Sequence, residues 1–166
     1  TRRDIIRAEF TLDTFIDPSD FYHINTMSFT RQRLKVPYDF SNFLHHHKTL
    51  VTHNSCRLLG ARNSNGELCA VCCLIWDHST CYYHFSGDHP DFRKENVGIW
   101  MIWQAIVFAY ENLSVNTFDF EGSMLQGVAA VKRRFNAKSV PYYYISKEQH
   151  ILLRLHSSLS SLLNLT

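Results

Sequence analysis

The middle of the chain alternates between short apolar runs and polar turns, and the runs have the length of strands. Positions 67–76 (Glu-Leu-Cys-Ala-Val-Cys-Cys-Leu-Ile-Trp) are apolar after the opening glutamate, and less apolar runs at 56–62 and 80–86 flank them. The links Asn63-Ser64-Asn65-Gly66 and Asp77-His78-Ser79 are hairpin connections. The pattern predicts a three-stranded antiparallel meander with the apolar run at its centre. Upstream, the spacing turns helical. Phe21, Ile24, Met27 and Ser28 follow the start signal Asp17-Pro18-Ser19-Asp20 and predict a helix to about Arg33. Val36-Pro37-Tyr38 breaks the pattern, and a second helix begins near Asp39 or Ser41. Downstream, Ile99, Ile102, Trp103, Ile106 and Tyr110 predict one buried face of a helix over 98–111. A strand at 115–120, a helix at 124–135 and a strand at 138–146 follow, the last through Val140-Pro141-Tyr142-Tyr143-Tyr144. The leucine- and serine-rich tail at 148–165 reads as a closing helix, and residues 1–8 as the end of a helix entered midway.

Composition narrows the class. A length of 166 residues with 45% apolar and 14% aromatic residues is that of one globular domain, spanning 1–166. The formal net charge of +2 does not announce a nucleic-acid binder, although Arg2-Arg3 with Arg7 and Lys132-Arg133-Arg134 are local basic clusters. Cys56, Cys69, Cys72, Cys73 and Cys81 come without a secretory leader, which predicts reduced thiols in a cytoplasmic protein. Three of them lie inside the central apolar run and read as buried strand residues, so no metal site is expected. His45-His46-His47, with His53 downstream, reads as a solvated helix face. No stretch approaches the roughly 20 apolar residues of a membrane span.

The chemistry concentrates at Asp119-Phe120-Glu121-Gly122-Ser123-Met124, where a strand hands over to a helix. In strict alternation Asp119 and Glu121 share one face, while Phe118 and Phe120 share the other. Glu121 is the first candidate for a general base and Asp119 the second; a structural ion pair with Arg133 or Arg134 is the competing reading. Ser123 can cap the next helix. His84 reads as a structural strand histidine, and no Ser-His-Asp or Cys-His order supports a covalent acyl-enzyme.

The element order, together with particular residues, resembles a known family. Two helices, a meander, a helix, a strand, a helix and a strand is the order of the GNAT acyltransferase fold, an α+β fold with a mixed central sheet and flanking helices. The run Tyr82-Tyr83-His84-Phe85-Ser86-Gly87-Asp88-His89-Pro90, then Trp103-Gln104-Ala105-Ile106, Phe118 through Met124, and Arg134-Phe135-Asn136-Ala137 leading to Pro141-Tyr142-Tyr143 are similar to its Fem-type branch, often labelled methicillin-resistance-like in bacteria. Thr30-Arg31-Gln32 and Val36-Pro37-Tyr38 are similar too, and so is Arg2-Arg3-Asp4-Ile5. Members usually carry two GNAT-like halves, and this chain resembles the second.

The resemblance implies an N-acyltransferase moving an acyl or aminoacyl group from acyl-CoA or aminoacyl-tRNA to an amine, either a small molecule or a peptidoglycan precursor, by direct attack. It also implies an N-terminal GNAT-like half packed on this one, and tRNA as a partner if the donor is aminoacyl-tRNA. The donor's pyrophosphate would lie at Arg93-Lys94-Glu95-Asn96-Val97-Gly98, the match to the family's Gln/Arg-x-x-Gly-x-Gly/Ala loop. There Asn96 replaces the central glycine, a residue able to take the left-handed turn, while Glu95 opposes an anion. Amides near Ser86 and Gly87 would bind the oxyanion. From the residues themselves, Tyr82, Tyr83, Trp76 and Tyr143 read either as the lining of an acceptor groove or as core aromatics, and Ser123 and Arg133 are further candidates for acceptor contact. The altered loop leaves a second reading open: a non-catalytic accessory domain that kept the fold and lost the phosphate site. A third reading has the omitted N-terminal half completing the site.

Overall fold

The computed structural model describes residues 9–122, 126–141, 143 and 145. A short strand β1 (Thr11–Asp13) precedes two helices, α1 (Pro18–Arg31) and α2 (Phe40–Thr52). The meander follows as β2 (Cys56–Arg62), β3 (Leu68–Trp76) and β4 (Thr80–Asp88). A 3-10 helix (Pro90–Glu95) leads into α3 (Val97–Asn112), and then come β5 (Thr117–Asp119) and α4 (Gln126–Arg133). The predicted tail helix at 148–165 and the helix end at 1–8 lie outside the described residues, and the described residues of 138–146 are not in a strand.

Local chemistry sets the helix starts. The Asp17 carboxylate accepts from the Ser19 amide at 2.7 Å with Pro18 in the first turn of α1, and Asp39 accepts from the Asn42 amide at 2.8 Å at the start of α2. Each capped amide is one the helix itself cannot satisfy. Strand β1 has too few residues to show a period. It pairs antiparallel with β2, and the Arg62 guanidinium donates to Asp13 at 2.8 Å across that pair.

The strands are ordered β1-β2-β3-β4-β5; all neighbours are antiparallel except β4 and β5, which are parallel. Burial of both faces explains the unbroken apolar run of β3. Its Ala70, Cys72 and Leu74 pack with α3, and its Val71 and Cys73 pack with Phe21, Ile24 and Phe43 of α1 and α2. Helix α3 turns differently from its predicted face. Trp100, Met101, Ala105 and Ala109 are buried with Ile99 and Ile102, whereas Trp103 is 41% and Tyr110 86% exposed. The two alanines let the helix axis approach the sheet, and the large rings are left outside.

Helix α1 lies directly on β4. A Cβ placed on Gly87 would stand 2.6 Å from the Asn25 Cα and 2.8 Å from the Ile24 carbonyl oxygen. Asn25, 2% exposed, donates through Nδ2 to the Ser86 carbonyl at 2.8 Å and accepts from the Tyr38 hydroxyl. Burial pushes the Tyr38 hydroxyl up to about 12, so it stays a donor. Replacing Asn25 by alanine strands both partners, at a cost of about 1–3 kcal/mol. Urea unfolding should show that loss in the midpoint with the slope unchanged; an unaltered midpoint would remove Asn25 from the packing of α1 on β4.

Candidate active site

The parallel pairing of β4 and β5 covers only Thr80↔Thr117, Cys81↔Phe118 and Tyr82↔Asp119. Beyond Tyr82, β4 runs on to Asp88, while β5 ends at Asp119. Strand β5 is thus paired along its whole length and stops there, which leaves the edge of β4 from Tyr83 onward without a β5 partner. A cavity of about 430 Å³ opens there, lined by Tyr83, Ser86 and Gly87 of β4, Gly98, Ile99 and Met101 of α3, Val128 and Val131 of α4, and Asn96. Arg31, Arg93 and Arg134 also line it.

The ladder between β3 and β4 fixes which amides face this gap. His89 donates its amide to the Cys69 carbonyl at 2.8 Å, and the register continues through Ala70↔Asp88, Val71↔Gly87 and Cys72↔Ser86. Bonded and unbonded pairs alternate in an antiparallel ladder. Gly87 thus donates into β3, while Ser86 and Asp88 turn their amides to the open edge.

A bulge then aims the key side chain. Cys73 opposes Phe85 and Leu74 opposes Tyr83, which leaves His84 as the extra residue. Tyr83 stays on the α3 face against Phe118 and Phe120, and Phe85 turns to the α1/α2 face beside Tyr38. Bulges re-aim side chains next to active sites. His84 Nδ1 lies 2.8 Å from Glu121 Oε1 and 3.1 Å from Oε2. An ionised carboxylate only accepts, so Nδ1 carries the hydrogen and Nε2 of the neutral ring is left as a base.

The Glu121 end is held from several sides. Its backbone is left-handed (φ +56°), followed by Gly122 at φ +67°, and its amide donates to Asp119 Oδ1 at 2.7 Å. Such a conformation in a non-glycine residue is uncommon and clusters at functional sites. Lys132 of α4 donates to the Phe120 carbonyl at 2.6 Å and to the Gly122 carbonyl, clamping the turn from behind. Burial lowers the Lys132 ammonium's pKa, and the charges of Glu121 and Asp119 oppose that shift. Phe118 and Phe120 join the α3-side core; Glu121 lies beyond the end of β5 in its left-handed turn and meets His84.

The residues at the start of α3 also have a definite geometry. Asn96 adopts the left-handed conformation (φ +59°) between the 3-10 helix and α3, and the helix begins at Val97 with no side-chain cap. The Asp88 carboxylate sits close by, bonded to Arg93 at 2.8 Å, 3.6 Å from Arg31, and 3.7 Å from where a Gly98 Cβ would be.

Several sequence expectations meet a different placement. Trp76 lies at the far end of the sheet, lining a separate cavity of about 760 Å³ with Phe15, Arg57, His78 and Phe108, so it is no part of an acceptor groove at Glu121. Tyr83 is buried and walls the cavity at the strand gap. Val97 is fully buried in the core and Lys94 is exposed; neither side chain lines that cavity. Arg133 is exposed, and its neighbour Arg134 lines the cavity instead. The partner of Glu121 is His84, not an arginine of α4. Tyr143 is 87% exposed, and Ser123 lies outside the described residues. His84 is the functional candidate that the sequence reading set aside.

A mixed sheet whose last, parallel strand stops short of its neighbour beside a helix start fits the GNAT arrangement, and the sequence agrees. The family described as the acetyltransferase (GNAT) domain matches residues 5–133, and the chain belongs to this family of acyltransferase enzymes. No curated protein sequence matches it. Among solved structures it is similar to a "predicted acetyltransferase" from Clostridium acetobutylicum with acetyl-CoA, at 11% identity and TM-score 0.62, over 85% of this chain and 99% of that one. It is similar to the aminoglycoside 6'-N-acetyltransferase of Acinetobacter baumannii, at 10% identity and TM-score 0.57, over 86% of this chain and 99% of that one. It is also similar to FemX, at 14% identity and TM-score 0.64, over 78% of this chain and 50% of that one. Among the described residues no helix is long and apolar enough to cross a membrane, and no group of three or more His, Cys, Asp or Glu is placed to hold a metal.

Proposed function

We propose that the protein is an N-acetyltransferase that moves the acetyl group of acetyl-CoA to a small-molecule amine, with His84 as general base and Glu121 as the group that positions it. The 2.8 Å contact between His84 Nδ1 and Glu121, just beyond the point where β5 ends beside β4, is the observation that carries this reading. Acetyl-CoA is the second substrate. Its pantetheine arm would lie along the β4 edge beyond the end of β5, and its phosphates would meet the uncapped start of α3 with Arg31 and Arg93, which would have to turn from the Asp88 carboxylate they now hold.

The acceptor amine attacks the thioester carbonyl. Its proton passes to His84 Nε2, the resulting imidazolium is stabilised by Glu121, and the developing oxyanion is received by the Ser86 amide at the open strand edge. The C–S bond then breaks, and the proton held by the His84 imidazolium passes to the departing sulfur, so that CoA leaves as its thiol and the base is restored. Asp119 holds the Glu121 backbone, so it supports the base and does not take the proton itself.

An acyl-CoA donor suits the cavity better than an aminoacyl-tRNA, because the arginines Arg31, Arg93 and Arg134 line one cleft, with Asp88 among them, and the net charge is only +2. The Fem-type reading, with this chain as one half of a longer two-domain protein acting on cell-wall precursors, is favoured by one observation: the similarity to FemX covers 50% of that chain. The test is release of free CoA thiol from acetyl-CoA with a panel of primary amines, including a polyamine, an amino sugar and an aminoglycoside. Acetylation of at least one is expected, and Arg93→Ala should weaken acetyl-CoA binding about tenfold or more, the worth of a charged hydrogen bond. Absence of turnover and of acetyl-CoA binding alike would favour the accessory-domain reading.

A further inference from the structure

On the α1/α2 face of the sheet, away from the cavity, two thiols meet under a histidine. Cys56 is the first residue of β2, and Cys73 lies on β3 opposite Leu58, two residues from Cys56 along the strand. Their Sγ atoms are 3.6 Å apart, and His47 Nδ1 of α2 lies 3.5 Å from Cys56 Sγ. Phe43 fixes the imidazole by stacking, with ring centroids 6.1 Å apart and planes at 8°. Cys56 is 7% and Cys73 2% exposed. The other thiols, Cys69, Cys72 and Cys81, belong to the opposite face with α3.

We propose that Cys56, Cys73 and His47 form a peroxide-reactive dithiol site, in which Cys56 is the attacking sulfur and Cys73 the resolving one. The Cys56 thiolate attacks one oxygen of a hydroperoxide; an S–O bond forms, the O–O bond breaks, and the departing hydroxide takes a proton from the His47 imidazolium to leave as water. Cys73 then attacks the sulfenic sulfur. The S–S bond forms, the S–O bond breaks, and the Cys73 proton leaves with the hydroxide as a second water. Two thiols are oxidised by two electrons and one hydrogen peroxide is reduced to two waters.

The asymmetry of the pair assigns the roles. The hydrogen bond from Cys73 holds the Cys56 thiol below its ordinary range, with His47 adding to this and burial opposing it; the same bond and burial push Cys73 well above. A low-pKa thiol beside a histidine supplies the thiolate, and the second thiol the resolving sulfur, that sulfenate chemistry requires; because both sulfurs are buried, peroxide reaches Cys56 only as the start of β2 opens. Cys56 and Cys73 are diagonal and not directly opposed, so closing 3.6 Å to a disulfide's length of about 2.05 Å needs the backbone at the start of β2 to move toward Cys73.

The test treats the reduced, folded protein with hydrogen peroxide, alkylates it after unfolding and maps the peptides by mass. The expected product has two fewer hydrogens and links the Cys56 and Cys73 peptides. C73S should stop at a sulfenic acid on Cys56 that dimedone traps, C56S should abolish the reaction, H47A should slow it several-fold, and C72S should leave it intact. Circular dichroism of each variant before oxidation establishes that it is folded. Alkylation of both Cys56 and Cys73 after peroxide, or a link through Cys69, Cys72 or Cys81, would overturn the proposal whatever the enzyme's acceptor proves to be.

Discussion

His84→Ala should lower the turnover of acetyl transfer by about 10²–10⁴ while leaving the affinity for acetyl-CoA unchanged, because it removes the proton acceptor and nothing that touches the donor. His84 is not among the residues lining the arginine cavity, and it gains its orientation from Glu121 at 2.8 Å. Glu121→Gln should cost less than His84→Ala. The amide keeps a hydrogen-bonding contact but can present its NH₂ to Nδ1, which favours the wrong tautomer and withdraws the charge that stabilises the imidazolium. Steady-state kinetics with saturating amine, alongside calorimetric binding of acetyl-CoA, separates the effects. Full turnover in His84→Ala would remove the pair from the chemistry, and a parallel loss of acetyl-CoA binding would make it a structural contact.

Gly87→Ala should be the most damaging single methyl in the described part of the site. The new Cβ would meet main-chain atoms of α1 at 2.6 Å and 2.8 Å, and backbone cannot rotate aside as a side chain can. Helix α1 would have to lift from β4, breaking the Asn25 bond to Ser86 as it goes. Overpacking of this kind costs about 1–3 kcal/mol, or roughly 2–4 °C of Tm per kcal/mol at this chain length. Gly98→Ala is the control. Its Cβ would lie 3.7 Å from the Asp88 carboxylate, an ordinary contact, inside the first turn of a helix that alanine favours. Scanning calorimetry should therefore show a large drop for Gly87→Ala and none for Gly98→Ala. Equal Tm values for both variants would contradict the close seating of α1 on β4.

The fold was largely legible because its cues are local. The apolar run of β3, the flanking turns, the Asp17-Pro18 and Asp39 caps and the break at Val36-Pro37 each act within a few residues. The left-handed turn at Asn96 was legible for the same reason. What escaped depends on partners distant in sequence. Cys81, Tyr83 and Phe85 alternate as in an ordinary strand, so nothing in the sequence marks the bulge that frees His84; it exists only in the register with Cys73 and Leu74. The helix α3 is apolar nearly all round, so its pattern could not say that Ala105 and Ala109, rather than Trp103 and Tyr110, face the sheet. Trp76 carried the aromatic character expected of an acceptor groove, but as the last residue of β3 it lies at the far end of the sheet from that edge of β4. The histidine run on α2 divides by helical angle: His46 stands over His84 with ring centroids 5.6 Å apart, and His47 turns inward to Cys56.

A crystal structure with a non-hydrolysable acetyl-CoA analogue tests the central claim most directly. The pantetheine arm should lie along the β4 edge past the Tyr82↔Asp119 pair, with the acyl oxygen within hydrogen-bonding distance of the Ser86 amide and the phosphates among Arg31, Arg93 and the start of α3. An analogue bound instead in the cavity beside Trp76 and Phe108, or a strand gap that stays closed to it, would contradict the claim.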